Sequence, residues 1–234
     1  MCTAKRARMT RVLLTSFEPF DGFACNSSHE VARLLAGEQE GNPDFRWFVV
    51  PVVAWLCAQR VWEQVESFCP DFLLCLGQAT GAKAIRIEEV GTNLNDFSIP
   101  DNAGNLLQRT PIVPGGPGHY PTTFAAAEIH GLLQAEQIPV ERSRSAGTYV
   151  CNHLLYTLLH RACTERKDLR IGFLHLPVLP EQARVKTPKR KPLPSLPLDI
   201  LVEATRRTIA LCTPSPRSAG APSSPSCVTL PAHL

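Results

Sequence analysis

TYVCNHLLYTLLHRACTERKDLRIGFLHL, Thr148–Leu176, is the stretch on which the fold turns. Leu154, Leu155, Leu158 and Leu159 recur at helical spacing and predict a helix over Thr148–Ala162. Ile171–Leu176 is a short apolar run, the pattern of a buried strand. The alternation extends outward. Val12–Thr15, Trp47–Val53 and Phe72–Leu76 read as further buried strands. Ser28–Leu35, with cap candidates Asn26-Ser27-Ser28, reads as a helix, as do Ala54–Phe68, Thr122–Gln137 and Leu198–Leu211. Strands alternating with helices predict an α/β domain with a mostly parallel central sheet and helices on both faces. Ligands in such folds bind beyond the carboxyl ends of the strands, so the loops after Thr15, Leu76 and Leu176 are where a site is expected.

Composition narrows the function classes. The 234 residues suit one domain with a substantial core, and 44% hydrophobic content is ordinary for a globular protein. A formal net charge of +3 and 7% aromatic content give no argument for a nucleic-acid or membrane partner. The nine cysteines are odd in number, contain no C-x-x-C pair and show no zinc spacing with histidine. Cys57, Cys75 and Cys163 lie in apolar runs, and Cys2, Cys25, Cys69, Cys212 and Cys227 near termini or loops. With no secretory signal and no membrane-length apolar run, a reducing cytoplasm is the expected compartment.

Three segments stand outside the alternation. Ala79–Gly118 holds an extended piece, Ala84–Leu94, then turn-rich Ile99–Asn105 and a break at Pro114–Gly118; an excursion of that length is expected to serve the site. Val185–Pro197 carries Lys186, Lys189, Arg190 and Lys191 among prolines and reads as a solvated loop, with a polyanion or partner contact as the lesser reading. From Thr213 the composition turns to Pro, Ser and Ala. The expectation is a folded unit over 1–212 and a disordered tail over 213–234.

The chemistry centres on Cys151. A thiol in the first turn of a helix meets the positive end of the helix dipole and unsatisfied N–H groups, which favour thiolate and can hold an oxyanion. A nucleophilic cysteine needs a base and a group to orient the base. His175 ends the Ile171–Leu176 strand, and one helix–strand return brings it back beside the start of the cysteine's helix. His153 lies two residues after Cys151 and points to another helix face, so it is expected to be structural. His160 is expected to be exposed, and His29, His119, His130 and His233 have no evident partner. The orienting acid stays open among Glu88, Glu89, Asp96 and Asp101. Glu88 and Glu89 are adjacent in an extended segment and face opposite ways; Asp101, before Asn102, suits a turn. Phe17 and Phe20 follow the first strand and can wall a small apolar pocket. Gly77–Gly81 lacks a phosphate-loop pattern.

Four segments in order resemble the bacterial-type pyroglutamyl peptidase I family: VLLTSFEPFDGFACNSS (Val12–Ser28), GQATGAKAIRIEEVGTNLNDFSIPDNAGN (Gly77–Asn105), SAGTYVCNHLLY (Ser145–Tyr156) and GFLHLPVLPEQ (Gly172–Gln182). The resemblance runs from about Arg11 to Cys212. It implies a three-layer α/β/α sandwich and a cysteine peptidase that removes N-terminal pyroglutamyl residues from peptides. It implies no metal or organic cofactor, and a homo-oligomer, often a tetramer. Carried over by motif, Cys151 is the nucleophile, His175 the base and Glu88 the acid. Glu88 is chosen over Glu89 by the Glu89-Val90-Gly91-Thr92-Asn93 run that follows it. Phe17, Phe20 and Tyr149 match the aromatic walls of the lactam site, and Asn26 and Gln78 match polar positions near it.

The chain departs from the family pattern at Ser16, at Asp21 and at Ser98, where an arginine commonly precedes Ile-Pro-Asp-Asn. Serine reaches less far than arginine and carries no charge. This motivates an alternative, a non-catalytic relative that binds pyroglutamyl peptides with a weakened oxyanion site. A nucleotide-binding or phosphorylase-like enzyme rests on fold class alone.

Overall fold

The computed structural model describes residues 10–185 and 193–213. The chain runs β1 (Val12–Phe17), α1 (Ser27–Glu38), β2 (Phe45–Val50), α2 (Leu56–Phe68), β3 (Phe72–Gln78), β4 (Ile85–Glu88), β5 (Val90–Thr92), β6 (His119–Pro121), α3 (Ala126–Ala135), β7 (Val140–Ser143), α4 (Val150–Glu165), β8 (Arg170–Leu176), α5 (Pro180–Val185) and α6 (Leu198–Cys212). Six strands form the central sheet in the order β2-β1-β3-β8-β4-β7. All its pairings are parallel except β4 with β8. β5 and β6 form a separate antiparallel pair.

Alternation along the strands divides the core in two. Leu13, Leu73, Cys75, Ile171 and Phe173 pack with α2 and α4 on one face. Val12, Leu14, Leu74, Leu76, Ile85, Ile87, Leu174 and Leu176 pack with α1, α3 and α6 on the other. The result is the three-layer α/β/α arrangement, each face of the sheet covered by helices. The same parity places His175 with Ile171 and Phe173 on the α4 face. It sets Glu88 opposite in facing to Ile85 and Ile87, hence on that face too.

Several boundaries differ from the expected ones for local reasons. β2 stops at Val50 because Pro51 has no N–H for the ladder. The next amides turn to carboxylates: Val52 N–H donates to Glu18 Oε1 at 2.9 Å and Ala54 N–H to Asp101 Oδ2 at 2.9 Å. α3 begins at Ala126, not Thr122, because the Thr122 and Thr123 amides donate to the Glu89 and Ile171 carbonyls. β1 extends through Phe17, which is therefore a strand residue and not part of the following turn. Polar β7 lies at the sheet edge and has no apolar run to announce it. Cys212 is buried at the end of α6 instead of lying in a loop, and Cys163 is only half-buried. His160 is half-buried, with Nδ1 3.0 Å from the Tyr120 hydroxyl, and the His29 ring packs against Trp47. The expectations for Lys186, Lys189, Arg190 and Lys191 and for nearly all of the 213–234 tail lie outside the described residues.

Candidate active site

The site forms where the carboxyl ends of β1, β3 and β8 meet the start of α4. Gly147, at φ +79°, makes the left-handed turn that leads into the helix. Cys151 is the second residue of α4. The cap residue Tyr149 makes no side-chain capping bond, so no side chain of the cap competes for the first-turn N–H groups around the thiol.

β8 returns along the sheet and brings His175 to that helix start. His175 is 7% exposed, and its Nδ1 lies 2.8 Å from Glu88 Oε1. The antiparallel register pairs Arg86 with His175 and Glu88 with Phe173, which makes Glu88 and His175 diagonal neighbours on one face. With Nδ1 engaged by the carboxylate, Nε2 is the nitrogen left for the Cys151 sulfur. Burial opposes a charge on His175. The Cys151 charge and hydrogen bond, and then the bond and charge of Glu88, outweigh it and raise the pKa to about 10. Glu88 is fully buried, and its Oε2 has no hydrogen-bond partner among the described residues. Gly77 pairs with His175 across β3 and β8, and a Cβ there would stand 3.0 Å from His175 Cδ2. The missing Cβ leaves the room that the imidazole occupies.

The other candidate acids are elsewhere. Glu89 pairs with Arg142 at 2.6 Å on the outside. Asp96 is exposed. Asp101 accepts from the Ala54, Ala103 and Asn105 amides, so it clamps two loops together. His153 is fully buried, with Nδ1 2.9 Å from Asn95 Oδ1 and Nε2 accepting the Trp55 N–H at 3.1 Å. Burial lowers its pKa to about 4 against the opposing pull of Asp101.

Beside Cys151 is a small cleft of about 220 Å³, open mouth included, lined by Phe17, Phe20, Asn26, Val52, Gln78, Tyr149, Val150 and Cys151. The Tyr149 ring lies 6.1 Å from Phe20, tilted by 33° to it, and meets Phe97 edge-on at 4.7 Å. Its hydroxyl donates to the Pro100 carbonyl at 2.9 Å. Burial, then the charges of Asp101, Cys151 and Asp21, raise its pKa to about 12, so it stays a neutral wall. Asn26 caps α1 and donates to the Glu18 carbonyl. Ser98 is exposed and does not line the cleft.

Residues 10–213 match the family model of the pyroglutamyl peptidases. The chain belongs to this family. The pyrrolidone-carboxylate peptidase of Vibrio vulnificus (strain CMCP6) is 39% identical over 204 residues, 87% of this chain and 93% of that protein. The same-named protein of Bacillus cereus (strain Q1) is 41% identical over 175 residues, 75% of this chain and 81% of the relative. Among solved structures, pyroglutamyl peptidase I of Bacillus amyloliquefaciens superimposes with a TM-score of 0.80 at 36% identity, covering 87% of this chain and 96% of that one. A mutant pyrrolidone carboxyl peptidase from Pyrococcus furiosus gives a TM-score of 0.80 at 35% identity, covering 87% and 98%. The family is one of cysteine peptidases, and the fold expected from the sequence is the family fold.

All eight residues singled out from the sequence gather at this one place. Cys151, His175 and Glu88 stand together, and Phe17, Phe20, Asn26, Gln78 and Tyr149 line the cleft next to the thiol. Val52 and Val150 line it too and were not expected. Val52 follows the carboxyl end of β2, an edge strand of the sheet, and so lies outside the loops after Thr15, Leu76 and Leu176 where a site is expected. Pro51 marked the loop after β2.

Proposed function

We propose that this chain hydrolyses the bond after an N-terminal pyroglutamyl residue, with Cys151 as nucleophile, His175 as general base and acid, and Glu88 as the group that orients the imidazole. The observation that carries the reading is the buried Glu88–His175 pair, at 2.8 Å, beside a thiol that abuts an aromatic cleft. His175 takes the Cys151 proton, and the thiolate attacks the pyroglutamyl carbonyl carbon. The tetrahedral oxyanion is held by N–H groups at the start of α4, a helix left uncapped by side chains. His175 returns the proton to the departing amine as the carbon–nitrogen bond breaks. Water, deprotonated by His175, then attacks the thioester, releasing pyroglutamate and restoring the thiol.

The cleft suits a ring without a charge. Pyroglutamate has a neutral lactam where an ordinary N-terminus has an ammonium, and the walls of Phe17, Phe20, Val52 and Tyr149 would leave an ammonium unpaired at a cost of several kcal/mol. The exposed position of Ser98 supports placing the oxyanion contacts on the backbone, not on that side chain. We take residues 1–212 as the catalytic unit, a span supported by the family match over residues 10–213. The free thiols of the described cysteines support a reducing, cytoplasmic setting, and no helix among the described residues is long and apolar enough to cross a membrane. A homo-oligomer, a tetramer by the resemblance, belongs to the same reading.

Hydrolysis of pyroglutamyl-7-amido-4-methylcoumarin tests the function. The wild type releases the fluorophore and Cys151→Ala does not. Equal activity of the two would remove Cys151 from the mechanism, and saturable binding without turnover would favour a binding protein.

A further inference from the structure

The cleft contains one polar group that the proposed chemistry leaves unused. Gln78 is 5% exposed and lines the cleft, and its Nε2 has no hydrogen-bond partner among the described residues. Leaving a buried amide N–H unpaired is costly. In a residue that lines a binding cleft, such a group is a candidate donor to a ligand.

Which end of that amide faces the ligand follows from a chain of bonds that begins on the backbone. The Leu179 N–H donates to Gln182 Oε1 at 2.7 Å. A backbone N–H can only donate, so the oxygen end of Gln182 is fixed there. Its Nε2 is then a donor, giving to the Cys25 carbonyl at 3.0 Å and to Gln78 Oε1 at 2.8 Å. The Ser27 N–H donates to the same Gln78 oxygen at 2.9 Å. Two donors converge on one end of Gln78, so that end is oxygen and the other is nitrogen. The usual interchangeability of a glutamine amide is removed by two backbone donors and one backbone acceptor.

We propose that Gln182 is a specificity-determining positioning residue: it holds Gln78 with the amide nitrogen presented to the cleft, so that the site selects a small ring bearing a carbonyl acceptor. This rests on reading the cleft as the pyroglutamyl site. Gln182 does not line the cleft and acts through Gln78. The ring of an N-terminal proline has the same size but no carbonyl, and it leaves the Gln78 donor unpaired. Sites built around a buried hydrogen bond reject the analogue that lacks it far more strongly than apolar contacts do.

Two substitutions separate this relay from a merely structural role. Gln182→Glu keeps an acceptor for the Leu179 N–H but sets a second acceptor against Gln78 Oε1. The charge-assisted bond that the Gln78 nitrogen can make to the introduced carboxylate outweighs the single Ser27 N–H bond that opposes it, so the amide turns and gives its oxygen to the cleft. KM for pyroglutamyl-7-amido-4-methylcoumarin rises by about tenfold or more while kcat stays within about twofold. The pH profile of Cys151 alkylation by iodoacetamide does not move. Gln182→Met loses all three bonds but imposes no reversal, because the Ser27 N–H still holds the Gln78 oxygen, and it raises KM less. Acidification narrows the gap between Gln182→Glu and wild type, since a protonated carboxyl can donate to Gln78 Oε1 again. A structural role predicts the reverse order, with Gln182→Met worse and kcat falling with stability; that result, or unchanged KM in both variants, overturns the relay. If Gln182→Glu does not fold, Gln182→Met decides: raised KM with kcat kept supports the proposal, and lowered kcat with KM kept overturns it. Should the wild type fail to cleave the amide, the peptidase reading fails by itself. The relay is then read from the melting temperature with 2-pyrrolidinone, which rises for wild type and not for Gln182→Glu; equal rises overturn it.

Discussion

His153 and His175 are both buried beside the start of α4, yet they are built for opposite charge states. His153 meets an amide oxygen and a backbone N–H, and burial takes its pKa down to about 4. His175 is as enclosed, but its partners are the Cys151 sulfur and the Glu88 carboxylate, and its pKa rises to about 10. Burial penalises the imidazolium in both places; only an anionic partner reverses the outcome. One ring is a neutral strut joining the Trp55 and Asn95 loops, and the other, in the proposed mechanism, a proton carrier held by a carboxylate.

The sharpest break of that comparison removes each ring in turn. His175→Ala lowers kcat/KM for the pyroglutamyl coumarin amide by about 10⁴-fold or more, as loss of the base does in nucleophilic hydrolases. His153→Gln keeps kcat per folded molecule within about threefold and lowers the urea midpoint instead, because the Trp55 N–H and Asn95 lose a well-aligned partner. Equal losses of activity in the two variants would end the division of roles.

Much of this contrast could be read from the residues alone, and what could not has physical causes. The two-residue spacing of Cys151 and His153 on a helix already argued against their pairing, and the helix–strand return argued for His175. The choice between Glu88 and Glu89 needed strand parity. Ile85 and Ile87 face the α1–α3–α6 layer, so Glu88 faces α4; the signal was in the sequence, but only with β4 placed antiparallel beside β8. That placement is non-local, as is the convergence of Gln182 and Gln78, 104 positions apart, on one bond. Val52 depended on Pro51 ending a strand that hydrophobicity alone would have continued to Val53.

Glu88→Gln sharpens the comparison by making His175 resemble His153. The amide can still meet Nδ1, but the charge is gone, and the His175 pKa falls from its raised value. kcat is expected to fall by about 10³–10⁴-fold, in line with neutralising the orienting acid of a triad. Alkylation of Cys151 below neutral pH slows in parallel. Glu89→Gln only breaks the outward pair with Arg142 and leaves kcat within about twofold. A larger effect for Glu89 than for Glu88 would exchange their assignments.

Gly77→Ala tests how far the His175 position depends on space instead of charge. The added Cβ would lie 2.9 Å from the Phe173 ring and 3.0 Å from His175 Cδ2, closer than such contacts tolerate. The imidazole must tilt away from Cys151, and a misplacement of this kind costs about tenfold to a hundredfold in kcat. KM, set by the cleft, changes less. Unaltered kcat would mean that the ring has more freedom than its contacts allow.

The smallest effect lies in stability against pH, where the two histidines act at opposite ends. His153 has a folded pKa below its ordinary 6.5, so its contribution is complete above about pH 6.5 and is lost as pH falls toward about 4. His175 has a raised pKa, so its contribution is complete below about pH 6.5 and is lost as pH rises through about 10. Between about pH 7 and pH 5 the His153 share amounts to about 2 kcal/mol. Urea unfolding of wild type and His153→Gln at those two values isolates it, because every other titrating group is common to both proteins. The drop in unfolding free energy from neutral to acid pH should be smaller in the variant by that amount. An equal drop in both would mean that His153 accepts its proton in the folded protein, and that the Trp55 N–H is not what holds its Nε2.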